Sequence, residues 1–415
     1  MPRVLPPPDT LPSRLTHPLV STSTRWFCTP VFVMGVALGL VAPWLPASAQ
    51  PSGDTLRATL ARAYLTVDRI TSRRVFDDGT RASINRAFDR TTLQFFGGRF
   101  AVAAAGLDSL TSALGLQPGD APTPPPLGDA RRIDGKLPSV VRTELLAQLA
   151  RVDSTGPLQQ ALATATARAG LLTDVPSSTR SAELFVQPRA HAAAVRREVE
   201  ALRSGRDPYA GRSGDWWREF VADGGKRVPL RLVAPPSAVD NERRAPLIVA
   251  LHGAGGDENM FVDAYGEGVL VRLADSLGAI VVSPLANGFT PITFDSLLAV
   301  VTRGYAIDTT RVFAIGHSMG AGFVARLANT RGARLAGVAM LAGGAPITAA
   351  DAPPALFVGA ALDPIIPAAR VKSSADATTA AGRRATYREL PHDGHTLMVG
   401  PSVPMAISWL WGQRR

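Results

Sequence analysis

Cysteine, lysine and histidine are all scarce in this 415-residue chain, with one cysteine, three lysines and six histidines. The lone cysteine, Cys28, excludes an intramolecular disulfide and any cysteine-based metal cluster. The lysines are Lys136, Lys226 and Lys372, so the formal net charge of +10 rests on arginine. The arginines form no dense run, which argues against a nucleic-acid partner, because such binders concentrate charge on one face or in one block. Beyond the first fifty residues no stretch is long and apolar enough to cross a membrane. What is present excludes disorder: 46% of the residues are hydrophobic and 19% are charged. Nothing in the composition calls for a metal, an organic cofactor or a protein partner.

Residues 1–49 read as an export signal. Arg3, Arg14 and Arg25 precede an apolar run over 31–41, and Ala47-Ser48-Ala49 supplies a small-x-small cleavage site. Pro30 and Pro43 interrupt the wider apolar stretch 26–45, which disfavours a retained anchor. Cleavage near Ala49 leaves an exported, periplasmic or extracellular chain with no cysteine and no stable membrane span.

Two regions follow. Residues 50–205 have helical spacing: Leu56, Leu60, Tyr64, Val67 and Ile70 recur every three or four positions, and Phe100, Ala103, Leu107, Leu110 and Leu114 repeat the pattern. A proline-rich stretch at 116–139 reads as a linker or long loop. This half holds no defensible catalytic cluster, and its lone histidine, His191, reads as structural or solvated. From 206 to 415 the pattern becomes short apolar runs at 227–233, 246–251, 279–282, 312–315, 337–341, 355–358 and 384–390. Helical stretches separate most of them, and a last helix is expected at 405–411. Alternating strand and helix predicts an α/β fold with a mostly parallel sheet covered on both faces.

The chemistry concentrates in this second region. Gly316-His317-Ser318-Met319-Gly320 is a G-x-S-x-G sequence at a strand-to-helix junction, the setting of a nucleophile elbow. His252-Gly253-Ala254-Gly255-Gly256 follows an earlier strand and suits an oxyanion loop. The two donors expected are the amides of Ala254 and Met319, with Gly255 as the alternative if the loop is shifted by one. Asp257, Glu258 and Asn259 lie beyond, either near substrate or as simple caps. In the chain order Ser, Asp, His, the acid is Asp363, just past the strand at 355–358. Asp351 precedes that strand and Asp376 falls inside a helix. The base is His395, in Asp393-Gly394-His395 on a loop before the final helix, in preference to His392. His317 reads as packing beside the elbow and His252 as holding its loop.

Together these segments resemble the α/β-hydrolase superfamily. Within it the chain looks like secreted bacterial esterases of the polyhydroxybutyrate depolymerase and feruloyl esterase group, and is similar to prolyl-oligopeptidase-like hydrolases. The resemblance rests on residues 251–256, on 308–320, and on Asp363 and His395. It covers about residues 206–415 and implies an α/β-hydrolase fold there, with Asp308 and Arg311 framing the strand before the elbow; the helical domain ahead of it and the lack of a large cap are read from the spacing of this chain. The expected activity is an exported serine hydrolase acting on a small-molecule or polymeric ester through an acyl-enzyme. A peptidase using the same triad and a non-catalytic binding module on the same fold are the alternatives. With about a dozen residues between Leu341 and Ala355, where relatives insert a lid, the site is expected to be open unless the helical half covers it.

Overall fold

The computed structural model describes residues 53–123, 128–153, 156–176, 182–239 and 243–415. The export signal and Cys28 lie outside them, as does part of the proline-rich stretch. No described helix is long and apolar enough to cross a membrane.

Helices come first: α1 (Gly53–Arg73), α2 (Asp78–Phe96), α3 (Phe100–Leu114), α4 (Pro138–Leu149), α5 (Gln159–Ala169), the single turn α6 (Ala182–Phe185) and α7 (Pro188–Arg203). Local chemistry sets their ends. Asp77 caps α2 by accepting from the Thr80 amide at 2.9 Å. Proline opens both α4 and α7, where its missing N–H would have had no helical partner. These helices do not share one core. Val67, Ile84, Phe88, Leu107 and Leu110 of α1–α3 pack around Leu397, from the other end of the chain. Val141, Leu145, Ala165, Val195 and Val199 of α4, α5 and α7 instead extend the core on one face of the sheet.

The sheet has eight strands: β1 (Gly214–Val221), β2 (Arg227–Ala234), β3 (Ala245–Leu251), β4 (Ile280–Pro284), β5 (Ile307–His317), β6 (Gly337–Leu341), β7 (Ala355–Ala360) and β8 (Ala385–Leu390). Their order across the sheet is β1-β2-β4-β3-β5-β6-β7-β8. β2 runs antiparallel to both β1 and β4, and all the other pairs are parallel. Between the strands lie α8 (Met260–Asp263), α9 (Tyr265–Leu277), α10 (Pro291–Gly304), α11 (Met319–Thr330) and α12 (Ala368–Ala380), and α13 (Val399–Trp411) closes the chain. Successive residues of a strand face opposite sides. Leu247, Val249 and Leu251 of β3 therefore meet the core containing Phe294 and Leu297 of α10 and Val324 of α11, while Ile248 and Ala250 meet that of Leu270 of α9 and Val403 and Ile407 of α13.

Two elements depart from the sequence pattern. β1 was not anticipated, because Arg218 and Glu219 sit inside an otherwise aromatic run and yet are buried. Arg218 lies over the rings of Tyr209 and Trp216, which accounts for a cation at that depth. α13 begins six residues before the expected start at 405 and runs through Pro404.

A buried ion pair ties α5 to α7. The Arg168 Nε lies 3.0 Å from both carboxylate oxygens of Glu198, and Tyr209 Oη and Arg212 Nη1 also donate to that carboxylate, at 2.8 and 2.9 Å. Arg168 further donates to the Trp217 carbonyl of β1 at 2.6 Å. Glu198→Ala strands a buried guanidinium and is expected to cost about 3–5 kcal/mol. Urea unfolding measures this, and a loss below about 1 kcal/mol would contradict the account.

Candidate active site

Every element of the site sits at the carboxyl edge of the parallel strands, where ligands of such sheets bind. β5 ends at His317, α11 starts at Met319, and Ser318 between them has φ 53° and ψ −113°. A non-glycine residue at positive φ is strained, typically by about 1–3 kcal/mol. The flanking glycines have a steric reason. A Cβ on Gly316 would lie 2.4 Å from the Gly320 carbonyl oxygen, and one on Gly320 would lie 2.0 Å from that of Leu251. Only glycine lets strand, helix and oxyanion loop approach this closely.

Asp363 and His395 arrive from two further strand ends. The His395 Nε2 lies 3.0 Å from Ser318 Oγ, and its Nδ1 lies 2.7 Å from Asp363 Oδ2. The other oxygen of Asp363 accepts from the amides of Ile365 and Ile366, both at 2.8 Å. These bonds fix the orientation of the carboxylate. Asp363 and His395 are buried. The alternatives lie elsewhere: His392 faces Asp78 at 3.3 Å, Asp376 pairs with Lys372 at 2.7 Å, and Asp351 accepts from the Ala333 amide at 3.2 Å.

Of the two expected oxyanion donors, Met319 directly follows the serine, and Ala254 lines the same cavity. The amide of Met319 is the first of α11 and has no helical acceptor. The loop carrying Ala254 lies over the elbow, since a Cβ on Gly253 would lie 3.3 Å from that of Ser318. Gly255, with φ 77°, takes the turn that only glycine enters easily, and a Cβ there would lie 2.5 Å from the Phe95 ring of α2. Of the neighbouring polar residues, Glu258 accepts from Trp217 Nε1 at 2.8 Å and Asn259 accepts from Arg231 at 2.8 Å, which makes both structural. Asp257 borders the cavity above the serine.

The two loop histidines do more than pack. The His252 Nε2 accepts from the Ala286 amide at 2.8 Å, so its Nδ1 is the donor to the Gly253 carbonyl, also at 2.8 Å. His317 faces the His395 carbonyl through Nε2 at 2.9 Å and Tyr265 Oη through Nδ1 at 2.7 Å. A carbonyl only accepts, so Nε2 carries the proton and Tyr265 donates to Nδ1. Tyr265 in turn accepts from the Gly253 amide at 3.3 Å. One chain of hydrogen bonds thus joins the oxyanion loop to the histidine loop through the elbow. Burial lowers the His252 and His317 imidazoles below their ordinary range, which keeps this tautomer neutral.

The helical half reaches the same loop, which the sequence reading missed. Asn85 accepts from the Gly394 amide and Asp89 from the His395 amide, both at 2.8 Å, and Arg81 makes a two-pronged pair with Asp393. A Cβ on Gly394 would lie 1.9 Å from Asp89. The one available signal was positional: residues 81, 85 and 89 are four apart on α2, a polar row beside the apolar Ile84 and Phe88. From α1, Asp68 accepts from the amides of Gly266 and Glu267 at 2.9 and 2.8 Å.

Burial pushes the Asp89 carboxyl up to about 6, and its Oδ1 is buried without a partner. A raised carboxyl stabilises the fold below the unfolded value and loses that contribution as pH rises through the folded value. Asp89→Asn keeps the acceptor and removes the ionisation. Wild type is therefore expected to lose stability relative to Asp89→Asn between about pH 4 and pH 6. Urea titrations of both proteins at pH 4 and pH 7 measure it, and a constant difference would contradict it.

No protein-family model matches this sequence, and no curated protein matches it. Among solved structures it is similar to a thermostable esterase at 24% identity and TM-score 0.39, over 48% of this chain and 63% of that one. A ferulic acid esterase matches at 15% identity and TM-score 0.42, over 48% and 98%. S-formylglutathione hydrolase from Staphylococcus aureus matches at 15% and 0.39, over the same shares. By its strand order, its elbow between β5 and α11 and its helices on both faces of the sheet, the chain has an α/β-hydrolase fold.

Proposed function

We propose that this protein is an exported serine hydrolase that cleaves carboxylic esters, with residues 206–415 carrying the chemistry. The observation that carries the reading is the run of contacts Ser318–His395–Asp363, at 3.0 and 2.7 Å. His395 takes the Ser318 proton as Oγ attacks the ester carbonyl. The amides of Met319 and Ala254 receive the oxyanion, each worth roughly 3 kcal/mol in the transition state. Asp363 holds the imidazole with Nε2 free to accept and stabilises the imidazolium that forms. The imidazolium then protonates the departing alkoxide, leaving an acyl group on Ser318. Water, activated by the same histidine, releases the acid.

The same residues would cleave amides, so substrate decides between esterase and peptidase. The regular elements among the described residues before Gly214 are all helices, unlike the propeller that prolyl-oligopeptidase-like enzymes carry, and this favours the ester. The test is a panel of aryl esters and peptide anilides, run beside fluorophosphonate labelling mapped to its residue by mass spectrometry. Label on Ser318 with ester turnover is expected. Label with anilide cleavage alone would make the protein a peptidase, and folded protein that takes no label would make it a binding module.

A further inference from the structure

Between α1, α2, α3 and the oxyanion loop lies a cavity of about 210 Å³, with Ser318 and His395 in its wall. The rest of the wall is mostly apolar and comes largely from the helical half, notably Leu60, Phe88, Phe95, Ala103 and Leu107. Its polar side chains are largely engaged. The hydroxyls of Thr91 and Thr92 turn back onto the Phe88 carbonyl, at 2.6 and 3.3 Å. Asp263 pairs with Arg231 at 2.6 Å, and Asp257 accepts from the Asn259 amide at 2.9 Å. Phe96 and Phe185, also in the wall, are 47% and 39% exposed, so an apolar rim faces solvent. No lid enters from the 342–354 segment, and the cover comes from the N-terminal helices.

This cover is built into the site. α2 holds the amides of Gly394 and His395 through Asn85 and Asp89, and Leu397 belongs to the α1–α3 core. A side chain delivered to Ser318 thus leaves the reacting carbon with an apolar wall on the helical side. An apolar cavity of about 150 Å³ accommodates a six-carbon ring.

Resting on the serine-hydrolase reading above, we propose that α1, α2 and α3 form the acyl pocket and that the enzyme selects esters of apolar acids of about six to eight carbons. The acyl chain enters past Phe96, lies between α1 and α3, and stays there in the acyl-enzyme while the alcohol leaves toward solvent. Specificity then comes from residues far from the catalytic motifs in sequence.

The test fixes the leaving group and varies the acid: p-nitrophenyl esters from acetate to palmitate, on the full chain. Expected is a rise in kcat/KM of roughly three- to fourfold per methylene up to about eight carbons, then a fall. Ala103→Phe fills the cavity at depth and is expected to lower the octanoate-to-acetate ratio at least tenfold. Ala61→Phe does so at a half-buried position of the wall and serves if the deeper variant fails to fold. Acetate esters of six- to eight-carbon alcohols form the control series. A flat or falling acyl series from protein that labels on Ser318 would overturn the pocket and leave the hydrolase reading intact. So would a length preference confined to the alcohol series, or ratios unchanged in a folded filling variant. Absence of label would instead remove the reading beneath it.

Discussion

Ser318→Ala is expected to lower kcat on an aryl ester by about 10⁶-fold, to the level left by binding and the oxyanion amides. Oγ lies 3.0 Å from the His395 Nε2, and among the described residues no other hydroxyl is within hydrogen-bond range of that nitrogen. Alanine retains the backbone donors and fits the position with no new contact, so the fold should survive. An unchanged thermal transition with turnover and fluorophosphonate labelling both gone is the expected pair of results. Undiminished turnover in pure Ser318→Ala would end the assignment of Ser318 as nucleophile.

Asp363→Asn should cost on the order of 10⁴-fold, for a reason readable from its hydrogen bonds. One oxygen of Asp363 accepts from two amides and the other from the His395 Nδ1. An asparagine placed here keeps its oxygen on the two amides and turns its NH₂ toward Nδ1. That forces the proton onto Nε2, so the imidazole donates to Ser318 and can no longer accept its proton. kcat/KM at neutral pH measures the effect, with circular dichroism reporting the fold. A loss below tenfold in folded protein would mean that another group orients His395.

The elbow and the oxyanion loop were legible because each is one contiguous segment whose geometry is written in its own residues. Gly316 and Gly320 stand where backbone meets backbone, and no distant partner is needed to interpret them. Asp363 and His395 were picked out by chain order and by lying just past a strand, and the structure brings them together because parallel strands carry their ends to one edge. β1 was hidden because charged residues at 218 and 219 masked its burial, and what shields them, such as Tyr209 and the helices of the first half, is no part of the strand's own sequence. His317 passed as packing because its partners, Tyr265 and the His395 carbonyl, lie 52 and 78 residues away.

By itself the sequence determined the fold class, the glycine-flanked turn that carries Ser318, and a first half made of amphipathic helices. These follow from periodicity and from local steric demands that neighbouring residues express. Only the tertiary structure decided what the helices do: that α2 grips the histidine loop across 306 residues through Asp89, and that α1–α3 wall a cavity opening on Ser318. Periodicity says that a face will be buried but not against what, and the identity of that surface is a property of the packed chain.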